Sequence, residues 1–65
     1  MERATVRRSQ NLVMNAIVMA SLLQRDAREC GATFLDQNLE VIRRELGEVM
    51  SYLRVEEAQY NDSEG

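Results

Sequence analysis

Between residues 35 and 60 the apolar positions fall on a seven-residue repeat. Leu35, Leu39, Ile42, Leu46, Val49 and Leu53 follow alternating steps of four and three, and the series runs on through Glu56 to Tyr60. Such spacing keeps one stripe on one side of a helix and predicts an amphipathic helix with a coiled-coil seam, which only Glu56 interrupts. The charges lie mostly on the other sides, where Glu40 and Arg44, then Arg44 and Glu48, stand one turn apart and are expected to pair. Gly47 falls on that polar side, where it weakens the helix by ~1 kcal/mol relative to alanine without entering the seam. The tail Asn61-Asp62-Ser63-Glu64-Gly65 has no apolar residue and is expected to fray.

The first half of the chain is patterned differently. From Leu12 to Leu23 only Asn15 and Ser21 are polar, so a helix here is apolar nearly all the way round and calls for burial on more than one side. A broad arc contains Leu12, Val13, Ala16, Ile17, Met19, Ala20, Leu23, Ala27 and Cys30, and the small residues among these permit close helix approach. A separate ridge, Met14, Val18 and Leu22, lies on the far side with Arg3, Arg7 and Arg25 nearby.

Glycine just past a periodic segment suits the left-handed residue that closes a helix, and Gly31 stands there, flanked by Ala27 and Ala32 as the small apolar pair of the closure. Thr33 is then expected to cap the next helix, with Asp36 three positions on as a short version of the capping-box glutamate. The expectation is a single domain: helix 1 over about residues 3–30, a turn at 31–33, helix 2 over about 34–60 and a frayed acidic tail at 61–65. A turn this short lays the two helices antiparallel.

Composition then decides whether such a hairpin can stand alone. The chain has 65 residues, and below about 70–80 a single core rarely supplies more than ~3–5 kcal/mol. Its single cysteine cannot close an internal disulfide, and without histidine the common zinc sites lose a ligand type. Association is the remaining route to stability. The sequence therefore predicts an all-α fold, an antiparallel helical hairpin of two long helices assembling as a homodimeric four-helix bundle. Its oligomer core is expected at Leu12, Ala16, Met19, Leu23, Leu39, Ile42, Leu46, Val49 and Leu53. The layout is similar to that of Rop, the small RNA-binding regulator; the likeness is one of architecture, without a residue-level match.

Charge adds a second possibility. Residues 1–30 carry five arginines against Glu2, Asp26 and Glu29, whereas residues 31–65 carry three against eight acids, and the whole chain is at −3. Arg3, Arg7 and Arg8 form a basic patch at the start of helix 1 that could meet phosphates in a Rop-like or repressor-like nucleic-acid binder. Against this, phosphate-binding domains are usually basic overall, and no aromatic residue interleaves the patch to stack on bases. A ribbon-helix-helix repressor, suggested by the alternation in Arg3-Ala4-Thr5-Val6-Arg7-Arg8, is disfavoured because the helix before Gly31 is too long.

Catalysis, cofactors and metals have little to stand on. Glu45, Glu48, Glu56, Glu57 and the scattered serines belong to solvated helix faces, and a hairpin offers no concavity in which to desolvate them. Cys30 is read as a small packing residue rather than a reactive thiol. The run from Leu12 to Leu23 behind three arginines resembles a signal peptide only loosely, since Asn15 interrupts it and no A-x-A site follows. It is also too short to cross a membrane, which takes ~20 apolar residues. The location expected is cytoplasmic.

What rises above these readings is surplus apolar surface. Beyond the core positions, the ridge Met14, Val18 and Leu22 and the flank Tyr52 and Val55, beside Phe34 and Val41, have no assigned cover. The sequence thus points to a non-enzymatic regulator, adaptor or chaperone-like protein whose partners are itself and another protein presenting an amphipathic helix.

Overall fold

The computed structural model describes residues 2–64 and contains two helices, α1 (Arg3–Glu29) and α2 (Thr33–Glu64), packed side by side as a hairpin. The molecule is a rod of 51 × 15 × 14 Å. Its radius of gyration is 15.1 Å, well above the ~11 Å of a compact domain of this length. Helix α2 continues to Glu64, past the stop near residue 60 that the apolar pattern suggests. Gly65 lies outside the described residues.

The turn closes as the glycine predicts. Gly31 has φ +75°, its N–H donates to the Arg28 carbonyl at 3.2 Å, and the Ala32 N–H donates to the Ala27 carbonyl at 2.8 Å. This pair of reversed bonds is the Schellman closure, and it satisfies two carbonyls that the end of α1 would otherwise leave open. The start of α2 departs from the expected capping box. The Asp36 N–H donates to the Ala32 carbonyl, so α2 begins one residue earlier than Thr33 capping would have it. The Thr33 hydroxyl donates to the Gly31 carbonyl at 3.5 Å, and both Asp36 oxygens accept from Arg28 Nε at 3.1 Å. The short aspartate finds a cation across the turn and is drawn there rather than back to its own helix end.

The two glycines respond oppositely to substitution. A Cβ at Gly31 meets no atom within 4 Å, yet the positive φ is strained for any other residue, so Gly31→Ala is expected to lose about 1 kcal/mol. Gly47 sits inside α2 with equally open space and no such backbone demand, and Gly47→Ala is expected to gain about 0.5–1 kcal/mol. Thermal midpoints of the two variants moving in the same direction would refute the assignment.

Within the hairpin, α1 buries Val6, Ala20, Gln24 and Ala27, and α2 buries Leu39, Met50 and Leu53. With the half-buried positions that keep the seven-residue repeat, the seam on α2 reads Asp36, Leu39, Arg43, Leu46, Met50, Leu53, Glu57 and Tyr60, and the seam on α1 reads Val6, Gln10, Val13, Ile17, Ala20, Gln24 and Ala27; Ser9, Ala16, Ser21 and Glu56 are half-buried beside it. The α2 seam is therefore turned by one position from the apolar stripe of the sequence. Leu39, Leu46, Leu53 and Tyr60 belong to both, but Asp36, Arg43 and Met50 replace Leu35, Ile42 and Val49 as the residues facing α1, while Glu56 and Glu57 are both half-buried. The physical reason lies in α1, whose Gln24 and Arg28 offer polar partners that pull Asp36 and Arg43 inward.

Candidate interaction surface

Seam polarity is concentrated at the turn half of the hairpin. Gln24 is only 2% exposed; its Nε2 donates to Glu40 Oε2 at 2.8 Å and its Oε1 accepts from Arg43 Nη1 at 2.7 Å. Arg43 also approaches Glu40 at 3.5 Å, one residue short of the Glu40–Arg44 spacing expected from sequence. Arg43 Nε is buried without a partner, so the network is short by one acceptor. A buried amide with both ends satisfied fixes which positions meet, because any slip leaves polar groups unpaired. The arrangement therefore sets the register of the hairpin, with Arg28 level with Asp36 and Gln24 level with Glu40.

The same contacts shift two acids. The Gln24 amide, and after it the Arg28 guanidinium, hold the Asp36 carboxyl below its ordinary 3.8. Glu40 is held below its ordinary 4.5 by the Gln24 amide first and then by Arg43, Arg28 and Arg44. A depressed carboxyl stabilises the fold above its unfolded value, and that contribution is lost as pH falls through the lower folded value. The thermal midpoint is accordingly expected to decline on acidification below about pH 4.5, less steeply in the double variant Asp36→Asn, Glu40→Gln. Equal slopes in the two proteins would show that the network does not carry the effect.

Sidedness follows from the helical repeat. In an antiparallel pair, positions one residue before each seam position on both helices share one side, and those following share the other. The second side is the polar one just described, where Arg28, Glu40 and Arg43 meet. The first side carries Ser9, Ala16 and Leu23 of α1 beside Leu35, Ile42 and Val49 of α2, extended by Leu12 and Met19 on the α1 flank. Most of it is wet in the single hairpin, with Leu12 61% and Met19 71% exposed, and Leu23, Leu35, Ile42 and Val49 each more than 40% exposed. Of the expected oligomer core, Leu39 and Leu53 are thus already covered by α1 and Ala16 and Leu46 half covered, whereas Leu12, Met19, Leu23, Ile42 and Val49 form this open side.

The expected partner-binding residues are all exposed, but one hairpin does not bring them together. Met14, Val18 and Leu22 run along the outer edge of α1, and Tyr52 and Val55 along the outer edge of α2. Phe34, 81% exposed, and Val41 extend the α2 edge toward the turn. Arg3 and Arg7 flank Ala4 at an open surface depression, and Arg8 is exposed beside them. Cys30 is exposed rather than packed, its thiol donating to the Ala27 carbonyl at 3.5 Å. Among the described residues no group of three or more acidic or cysteine side chains is placed to hold a metal ion. No helix in the described residues is long and apolar enough to cross a membrane. Set against protein-family models, curated proteins and solved structures, the chain matches none of them significantly.

Sequence reasoning did not single out Gln24 or Arg43. The available signal was a polar residue at a seam-compatible spacing in each helix, seven residues from Ile17 and from Met50 respectively.

Proposed function

We propose that this chain is a non-enzymatic interaction protein of the cytoplasm, a regulator, adaptor or chaperone-like binder, that works as a homodimeric four-helix bundle and holds an amphipathic helix of another protein. The observation that carries this reading is the open apolar side from Leu12 to Leu23 and Leu35 to Val49, together with separate apolar edges on both helices. The chain exposes 4997 Å², against about 4250 Å² for a folded monomer of 7.5 kDa. The excess, roughly 700–800 Å², is close to what each partner buries in a standard protein interface. A hairpin with this much surplus exposed surface and an open apolar side is short of one neighbour, and its outer edges leave material for a second.

Sedimentation at several concentrations tests the dimer, and Val18→Asp tests the binder. The charge is expected to leave helicity and dimer mass unchanged while abolishing capture of a helical partner. Loss of the fold or of the dimer would place Val18 in the core and overturn this assignment.

One observation favours a second reading. Arg3 and Arg7 line one depression at the open end of the rod, next to exposed Arg8, which is a fitting place for a phosphate backbone. In that case RNA or DNA affinity falls steeply with salt and weakens when the three arginines become glutamine; absent or salt-insensitive binding rules it out.

A further inference from the structure

We propose that the open apolar side is covered by a second copy of this chain whose turn lies at the same end of the rod, so that α1 of each copy rests against α2 of the other. This rests on the dimeric reading above and adds to it the face and the topology.

The first argument is the rotation of the seam. A one-position shift on a seven-residue repeat is about 51°, and the centre of a square four-helix bundle lies about 45° from the line joining two neighbouring helices. The stripe Leu35, Leu39, Ile42, Leu46, Val49 and Leu53 therefore points to the middle of a bundle, between α1 and the open side. A matching stripe exists on α1 at Val13, Ala16, Ala20, Leu23 and Ala27. Continuing the register set by Gln24 and Glu40, Ala27 stands level with Leu39, Ala20 with Leu46 and Ala16 with Val49. In these three layers a small residue on α1 meets a large one on α2, and Leu23 stands level with Ile42 between them and Val13 with Leu53 beyond them. The one polar position in the α2 stripe, Glu56, falls level with Ser9, the one polar position in the α1 stripe. Both sit toward the open end, within reach of water.

The second argument is charge, and it chooses the topology. With turns at opposite ends, like helices lie together, and the middle of the α2–α2 contact collects Glu45 from both copies, with Glu48 of each on its margin. Among the α2 positions of that side, Leu35, Asn38, Ile42, Glu45, Val49 and Tyr52, no arginine stands to offset the paired Glu45 carboxylates. With turns at the same end, Glu45 and Glu48 instead lie level with the uncharged Met19 and Asn15 of the other copy.

The consequence is a composite surface. Leu12 and Leu22 of one copy then share one side of the bundle with the α2 edge of the other, Leu12 level with Tyr52 of the partner subunit and Leu22 level with Val41 of the partner subunit, whereas Met14 and Val18 stay on the far side of α1. Opposite-end packing would leave the two kinds of edge on different sides.

The native thiol provides the test. Cys30 is exposed, is the sole cysteine and lies at the turn, so a spin label placed there reports turn-to-turn distance by pulsed EPR. Same-end packing of helices spaced about 8–10 Å apart is expected to give a label separation of about 20–30 Å. A distance near the length of the rod, 51 Å, overturns the topology while leaving the dimer standing. A monomer by sedimentation overturns both. Labelling a Thr33→Cys, Cys30→Ser variant repeats the measurement from outside the expected interface, and disagreement between the two label sites in the sense of the distance also rejects the proposal.

Discussion

Leu53→Ala is expected to leave the chain largely unfolded at low micromolar concentration. Leu53 is almost wholly buried where α2 crosses the first half of α1, near the fully buried Val6. Removing a buried leucine side chain destabilises by about 2–5 kcal/mol, because transfer energy is lost and the cavity closes only in part. A chain of this size has about 3–5 kcal/mol in total, so one such change consumes most of it. Helicity followed by circular dichroism against concentration checks the result. Recovery of helix as concentration rises is expected, since association is linked to folding by mass action. Val55→Ala is the control: it removes methyl groups from an exposed edge and should change the midpoint little. Equal losses from the two variants would show that the hairpin seam is not the principal source of stability.

Val49→Asp should have a comparable effect by another route. Val49 is on the open side, where nothing in the single hairpin contacts an added carboxylate unfavourably, so an isolated hairpin would tolerate it. In a bundle the same position points to the centre, and an unpaired charge there costs several kcal/mol unless it protonates or the copies separate. The expected outcome is a loss of dimer by sedimentation, accompanied by a lowered, concentration-independent thermal midpoint. Glu56→Leu makes the opposite change in the same stripe and should raise the midpoint of the dimer. A Val49→Asp protein with unaltered mass would mean that the open side does not meet a second copy. Together with Val18→Asp, which alters an outer edge, these variants separate the interior of the assembly from the surface left for another protein.

How far the sequence leads is visible in particular residues. The closure at Gly31 was legible because only glycine accepts φ near +75° without strain, and helix closure by this geometry is local. The two helices were legible for the same reason, their periodicities being a property of each segment alone. The cap at Thr33 was not. Its aspartate lies within reach of Arg28 across the turn, and a charged partner outcompetes a neutral backbone donor once the chain has folded back. Likewise the pairing of Glu40 fell to Arg43 and Gln24, because Gln24 approaches from the other helix and gathers both.

The stripe from Leu35 to Leu53 shows the division most clearly. By itself the sequence determined that α2 has one apolar stripe, that α1 has apolar residues on several sides and that a chain with one cysteine and no histidine closes no internal disulfide and builds no Cys/His zinc site. Those conclusions need only periodicity and arithmetic. Which half of the stripe α1 takes was decided by the tertiary structure, because the choice depends on where Gln24, Arg28, Asp36 and Arg43 find one another in space. Their network turns α2 by one position, closes the polar side and leaves Ile42 and Val49 on the other. A pattern of apolar residues fixes how much surface must be buried; the few polar groups that cannot be buried unpaired fix the direction from which the cover comes.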